Sequence, residues 1–185
     1  MYQRDYTINY LDLSRKRLHK LPKDIYKYTN LHILTCNSNE LTSLDNLPIT
    51  LTELYCANNK LTSLDNLPPN LQVLFCNYNK LTNLDNLPIT LINLNCCDNQ
   101  IISLDNLPPN LQVLICGGNK LTSLDNLPIT LKELSISGLN SQITRLDNLP
   151  PSLTELHCFY NSLKYDFEPS LENIRNYNAS RISSS

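Results

Sequence analysis

Cysteines recur in this chain at one spacing. Cys36, Cys56, Cys76, Cys96 and Cys116 stand twenty residues apart, Ile136 takes the next place, and Cys158 follows after a two-residue insertion. Thiolates are good zinc ligands, but a zinc site needs ligands that converge, usually from paired C-x-x-C spacings. A straight row of cysteines does not converge, so the series reads as small apolar residues, reduced and without metal. Cys97 lies beside the row and faces outward, which makes it a candidate reactive thiol; a neutral surface residue is the plainer reading. A second series, Asp45, Asp65, Asp85, Asp105, Asp125 and Asp147, sets like charges about 5 Å apart if the copies stack, a repulsion of roughly 0.8 kcal/mol per pair in bulk water. Either calcium bridges these carboxylates or each accepts amide hydrogens at its own turn, and the cap reading requires no ion. His19, His32 and His157 are scattered, and no Gly-rich phosphate loop, H-E-x-x-H or serine-nucleophile motif occurs. The reading is non-enzymatic: no catalytic residue, metal ligand or cofactor is assigned.

The elements that would position these residues come from the repeat itself. The block Leu51-Thr-Glu-Leu54-Tyr-Cys56-Ala-Asn-Asn59-Lys-Leu61-Thr-Ser-Leu64-Asp-Asn-Leu67-Pro68 returns every twenty residues, with equivalents opening at Leu31, Leu71, Leu91, Leu111, Leu131 and Leu153. Within Leu71 to Cys76, Leu74 and Cys76 alternate with Val73 and Phe75, so a strand there buries the first pair and exposes the second. No single coil can hide its own leucines; stacking does. The return from Leu64 to Leu71 passes through Pro68-Pro69, which lack amide donors and disfavour helix, so an extended or polyproline path is expected. Asn39, Asn59, Asn79, Asn99, Asn119 and Asn161 should satisfy backbone groups at the corner. The turns alternate with a forty-residue period: Pro-Ile-Thr at 48–50, 88–90 and 128–130, Pro-Pro-Asn at 68–70 and 108–110. Only three glycines are present, so other residues must make the turns.

The ends depart from this pattern. Residues 1–30 read as an N-terminal capping region with a longer first repeat, in which Pro22 opens a short helix and Ile25 and Tyr28 face inward. Residues 31–163 carry the repeats. Residues 164–185 read as a C-terminal cap, built on Phe167, Pro169, Leu171 and Ile174, followed by a loose tail from Arg181.

The pattern L-x-x-L-x-C-x-x-N-x-L, as in Leu51 to Leu61, resembles the leucine-rich-repeat signature. The twenty-residue coil with a Leu-Pro return, as at Leu67-Pro68, resembles the bacterial-type repeats of secreted effectors that enter host cells, and the Asn-, Ile-, Lys- and Tyr-rich texture is similar to leucine-rich-repeat proteins of giant DNA viruses. The resemblance covers roughly residues 31–163. It implies an α/β repeat solenoid: a right-handed superhelix of eight coils with parallel strands on the concave face and a mostly extended convex side, almost free of helix between residues 41 and 151. It also implies a protein-binding concave face, and a viral or pathogen adaptor directed at a host protein. Some such effectors carry a ubiquitin-ligase domain after the repeats; that activity is not carried over to residues 164–185.

Bulk properties agree. A net charge of -2 and a pI of about 5.9 disfavour nucleic acid as a partner, since phosphate binding calls for a basic stripe. Met1 to Thr7 has no apolar leader, and no stretch nears the roughly 18 apolar residues of a membrane span. The expectation is a cytoplasmic protein, in the host cell if the effector resemblance holds. Inward positions barely vary between copies, whereas outward strand positions do. On that face Tyr55, Val73, Phe75 and Tyr78 form an expected apolar patch, continued by Val113 and Ile115. Gly117, Gly118 and Gly138 leave a dip, and His157, Phe159 and Tyr160 close the far side beyond an inserted loop from Ser137 to Gln142. Tyrosine and phenylalanine are enriched at interfaces, so these residues are the candidate partner-binding site, spanning about 20–25 Å. A structural or calcium-binding solenoid without a dedicated protein partner is the alternative.

Overall fold

Three-residue strands, each cut from the start of a repeat, organise the molecule. The computed structural model describes residues 5–138 and 142–182. Its strands are β1 (Tyr10–Asp12), β2 (Ile33–Thr35), β3 (Glu53–Tyr55), β4 (Val73–Phe75), β5 (Asn93–Asn95), β6 (Val113–Ile115), β7 (Glu133–Ser135) and β8 (Glu155–His157). They pair in parallel and in chain order as one sheet, in the register that the period dictates: Leu54 beside Leu74, Leu74 beside Leu94. The alternation decides the faces. Leu54, Leu74, Leu94 and Leu114 are fully buried, as are Cys56, Cys76 and Cys96, while the flanking positions in each strand are half-exposed. The regular convex side between residues 41 and 151 carries no helix among the described residues, as its prolines require.

The corner after each strand is held by asparagine. Asn79 Nδ2 donates to the carbonyls of Cys56 at 3.1 Å and Cys76 at 3.0 Å, while its Oδ1 accepts the Leu61 amide at 2.9 Å. One side chain thus ties backbone groups of two coils, and Asn59, Asn99 and Asn119 repeat the arrangement. The turns that glycine does not make are made chiefly by a second asparagine series: Asn46, Asn66, Asn86, Asn106, Asn126 and Asn148 all take φ near 60°, from 59° to 64°, a region that asparagine tolerates.

That second series corrects the expectation for the aspartates. Among the described residues, none of the six carboxylates accepts a backbone amide. Instead Asp65 and Asp105 accept from the Asn86 and Asn126 side chains of the next coil, at 3.3 and 3.1 Å, Asp45 from the Ser43 hydroxyl at 2.7 Å, and Asp147 from Arg145. The forty-residue alternation also acquires a structural sense. Thr90 and Thr130 each donate to two carbonyls of the preceding coil, those of Pro69 and Leu71 and of Pro109 and Leu111.

Both ends close with side chains. Near the N-terminus a 3-10 helix spans Ile25–Lys27, three residues later than Pro22, because the Pro22 carbonyl accepts the Ile25 amide to form the preceding turn. Ile25 and Tyr28 are buried as expected. At the other end α1 (Leu171–Ile182) buries Ile174 completely. Arg175 donates to the carbonyls of Pro150, Pro151 and Leu153, the Asn178 amide to the Leu146 carbonyl, and the Tyr165 hydroxyl accepts the Leu146 amide. These side chains supply what a further coil would have supplied. The loose tail expected from Arg181 is corrected in part: Arg181 and Ile182 belong to α1, and residues 183–185 lie outside the described residues.

The cysteines are free. Burial pushes the Cys36 and Cys76 thiols up to about 12 and Cys56, Cys96 and Cys116 well above the ordinary thiol range. The folded chain therefore holds these protons to higher pH than the unfolded chain, whose thiols ionise near ~8.5. The stability this contributes is full below that value and is lost as pH rises towards the folded values. Urea midpoints should be flat from neutral pH to about 8.5 and then fall, and a Cys76→Val variant should flatten the fall; an alkaline slope identical in the variant would contradict it. For the asparagine ladder, Asn79→Ala strands the buried Leu61 amide, at a cost of about 1–3 kcal/mol. It also takes one of two donors from each of the Cys56 and Cys76 carbonyls, which keep Asn59 and Asn99. Urea unfolding should show a loss of about 2 kcal/mol or more, against about 0.5 kcal/mol for the exposed Asp65→Ala; similar losses for both would show that the ladder is dispensable.

Candidate functional site

The strand face gathers the outward residues by register. Tyr55 and Phe75 sit directly opposite each other on β3 and β4, ring centroids 5.2 Å apart in an edge-to-face contact, a favoured geometry for aromatic pairs. The Tyr55 hydroxyl donates to Glu53 at 2.8 Å. Burial first, and then the Glu53 carboxylate, push its phenol up to about 12. Val73 lies on the same strand as Phe75 and is half-exposed.

Tyr78 stands apart, in the corner after β4. It is 58% exposed and has φ 55°. The equivalent corner residues Ser38, Asn58, Asp98 and Gly118 share this left-handed conformation, and most of them are types that adopt it at low cost. Tyr160 repeats the feature after β8, with φ 59° and 80% exposure. Left-handed backbone costs a bulky residue roughly 1–2 kcal/mol. Each tyrosine borders a groove. One of about 510 Å³ runs past Asp12, Arg15, Ser38 and Asn58 to Tyr78. The other, about 240 Å³, lies between Phe159, Tyr160, Leu163 and Pro169.

The remaining expected residues are not one patch. Ile115, with Val113, lies on β6, separated from Phe75 by Asn93 and Asn95 of β5, so the apolar stripe is interrupted. His157 is on β8, its Nε2 2.8 Å from Glu155 Oε1, and Phe159 is exposed in the next corner. The dip expected at the glycines is corrected. Gly117 is buried, and a Cβ there would overlap the Ser137 carbonyl; one at Gly118 would overlap the Asp98 carboxylate. These glycines allow close approach of neighbouring coils rather than opening space. Residues 139–141 of the inserted loop lie outside the described residues. Cys97 is no activated thiol: burial pushes it up to about 11.

One feature of the return side was not read from the sequence. Ile49, Ile89 and Ile129 are 74%, 72% and 79% exposed, and the forty-residue alternation aligns them along one edge. Their shared place in Pro-Ile-Thr was the available signal. Among the described residues, no helix is long and apolar enough to cross a membrane.

Comparison with known proteins agrees with this architecture. A model described as leucine-rich repeats, two copies, matches residues 49–88. No curated protein matches the sequence. Among solved structures, YopM from Yersinia enterocolitica WA-314 is 32% identical with a TM-score of 0.72, over 91% of this chain and 41% of that one. The leucine-rich-repeat domain of a Shigella effector is 32% identical with a TM-score of 0.73, over 96% of this chain and 77% of that one. The functional domain of InlJ from Listeria monocytogenes, described as including a cysteine ladder, is 34% identical with a TM-score of 0.61, over 87% of this chain and 42% of that one. The chain thus spans less than half the length of the YopM and InlJ chains. The shared coil, sheet and level of identity establish that this chain belongs to the leucine-rich-repeat family.

Proposed function

We propose that the chain is a non-catalytic scaffold that binds another protein on its strand face, through Tyr55, Val73, Phe75 and Tyr78 at one end, Ile115 between, and His157, Phe159 and Tyr160 at the other. The observation that carries this reading is the pair of exposed tyrosines at left-handed corner positions. Tyr78 and Tyr160 hold large rings in solvent beside grooves, at a backbone cost that asparagine or glycine would avoid. The Tyr78 hydroxyl meets the Asp98 carboxylate of the next coil, but an exposed contact of that kind contributes little to stability, and a desolvated aromatic anchor is a common source of binding energy. The finer form of the reading is an adaptor directed at a host protein in the host cytoplasm, supported by 32% identity to YopM and to the Shigella effector domain.

Two measurements test it. Tyr78→Asn and Tyr160→Asn should each leave the fold intact and raise stability slightly, by up to ~1 kcal/mol in urea unfolding; a clear loss would make the tyrosines structural. Phe75→Ala with Tyr78→Ala, or Phe159→Ala with Tyr160→Ala, should weaken capture of a protein partner at least about tenfold. Capture that survives both double variants but is lost when Ile49, Ile89 and Ile129 become asparagine would place binding on the return edge instead.

A further inference from the structure

We propose that Glu133, Glu155 and His157 form a site for a divalent transition-metal ion of the zinc class at the C-terminal end of the strand face. Glu133 of β7 lies directly opposite Glu155 of β8, and Ser135 opposite His157. One ligand atom from each of Glu133, Glu155 and His157 lies within 4.8 Å of the other two. Three features set this cluster apart from the other outward positions. First, two carboxylates face each other in register, which is destabilising unless compensated; Glu53, by contrast, faces Ile33 and Val73. Second, among the described residues neither glutamate has a lysine or arginine in ion-pair range; His157 is the only basic partner, on Glu155. Third, the donor set is mixed. An imidazole nitrogen with two carboxylate oxygens suits zinc and its neighbours, whereas calcium and magnesium prefer all-oxygen shells.

The geometry needs only side-chain motion. Zinc holds N and O ligands at about 2.0–2.2 Å, so tetrahedral ligand atoms lie about 3.3 Å apart. Glu155 is exposed and Glu133 half-exposed, and rotation of these chains closes the difference without moving the strands. Three protein ligands leave a position open towards the strand face, to be filled by water. No partner protein is required, so the site stands or falls independently of the proposed interaction.

The test is calorimetric titration of the full chain, thiols kept reduced, with zinc alone, and with cobalt to read ligand type by visible absorption. One equivalent should bind, without thiolate charge-transfer bands and without competition from calcium. Glu133→Gln and His157→Ala should each weaken binding about tenfold or more, since even loss of an outer-shell partner costs that much. Cys97→Ser and His19→Ala should bind as the parent does. Absence of saturable zinc binding, binding retained in both Glu133→Gln and His157→Ala, or a cobalt–thiolate band would each overturn the proposal.

Discussion

A coil of twenty residues has too little interior to satisfy its own backbone. Its strand is three residues long, its return is interrupted by proline, and its corner turns back on itself with carbonyls pointing inward. The asparagine after each cysteine from Cys36 to Cys116 resolves this, because one amide can donate to two carbonyls and also accept amide protons; Asn161, after Cys158, makes only the donations. Asn99 joins the carbonyls of Cys76 and Cys96 to the amide of Leu81, so the buried polar account of one coil is closed only with the side chain of the next. The leucines impose the same condition. Leu71, Leu81 and Leu91 are fully buried only because coils lie above and below them, and each contributes very roughly 1.5–3 kcal/mol on burial. Stability is therefore a property of neighbours rather than of coils.

That dependence explains the ends. Where no further coil follows, Arg175, Asn178 and Tyr165 provide the donors and acceptor that a next coil would bring. An aromatic cluster of Tyr165, Phe167 and Tyr177 shields the same edge. The cap is chemically unlike the repeats, yet it meets the same requirement.

With the interior so constrained, its variation is limited to exchanges among apolar residues such as Ile136 and Ile101, and the two ends of the strand face have diverged. The β3–β4 end carries an aromatic pair on a mostly apolar surface, whereas β7–β8 carries two glutamates and a histidine. Between them, β5 presents asparagines. A face of this kind holds two distinct chemical surfaces on one rigid frame. The return edge is a third, with isoleucines at every second coil.

What the sequence determined by itself was everything that the period enforces. Leu74, Cys76 and Asn79 could be placed inside, and Phe75 outside, because strand alternation and a fixed repeat length leave no other consistent arrangement. The Pro-rich returns likewise excluded helix from the regular convex side. The tertiary structure decided what depends on distances between copies. Asp65 and Asn66 are adjacent and both suit turns; only the stacked coils show that Asn66 takes the left-handed corner while Asp65 turns to Asn86 in the next coil. Gly117 suggested open space, but the Ser137 carbonyl occupies the place of its missing side chain. Glu133 and His157 lie twenty-four positions apart across an insertion that breaks the twenty-residue count. Matching the blocks at Leu131 and Leu153 sets Glu133 beside Glu155. Only the folded sheet shows the His157 ring turned onto Glu155, with ligand atoms of all three side chains within 4.8 Å, because side-chain direction depends on neighbours that a count along the chain does not contain.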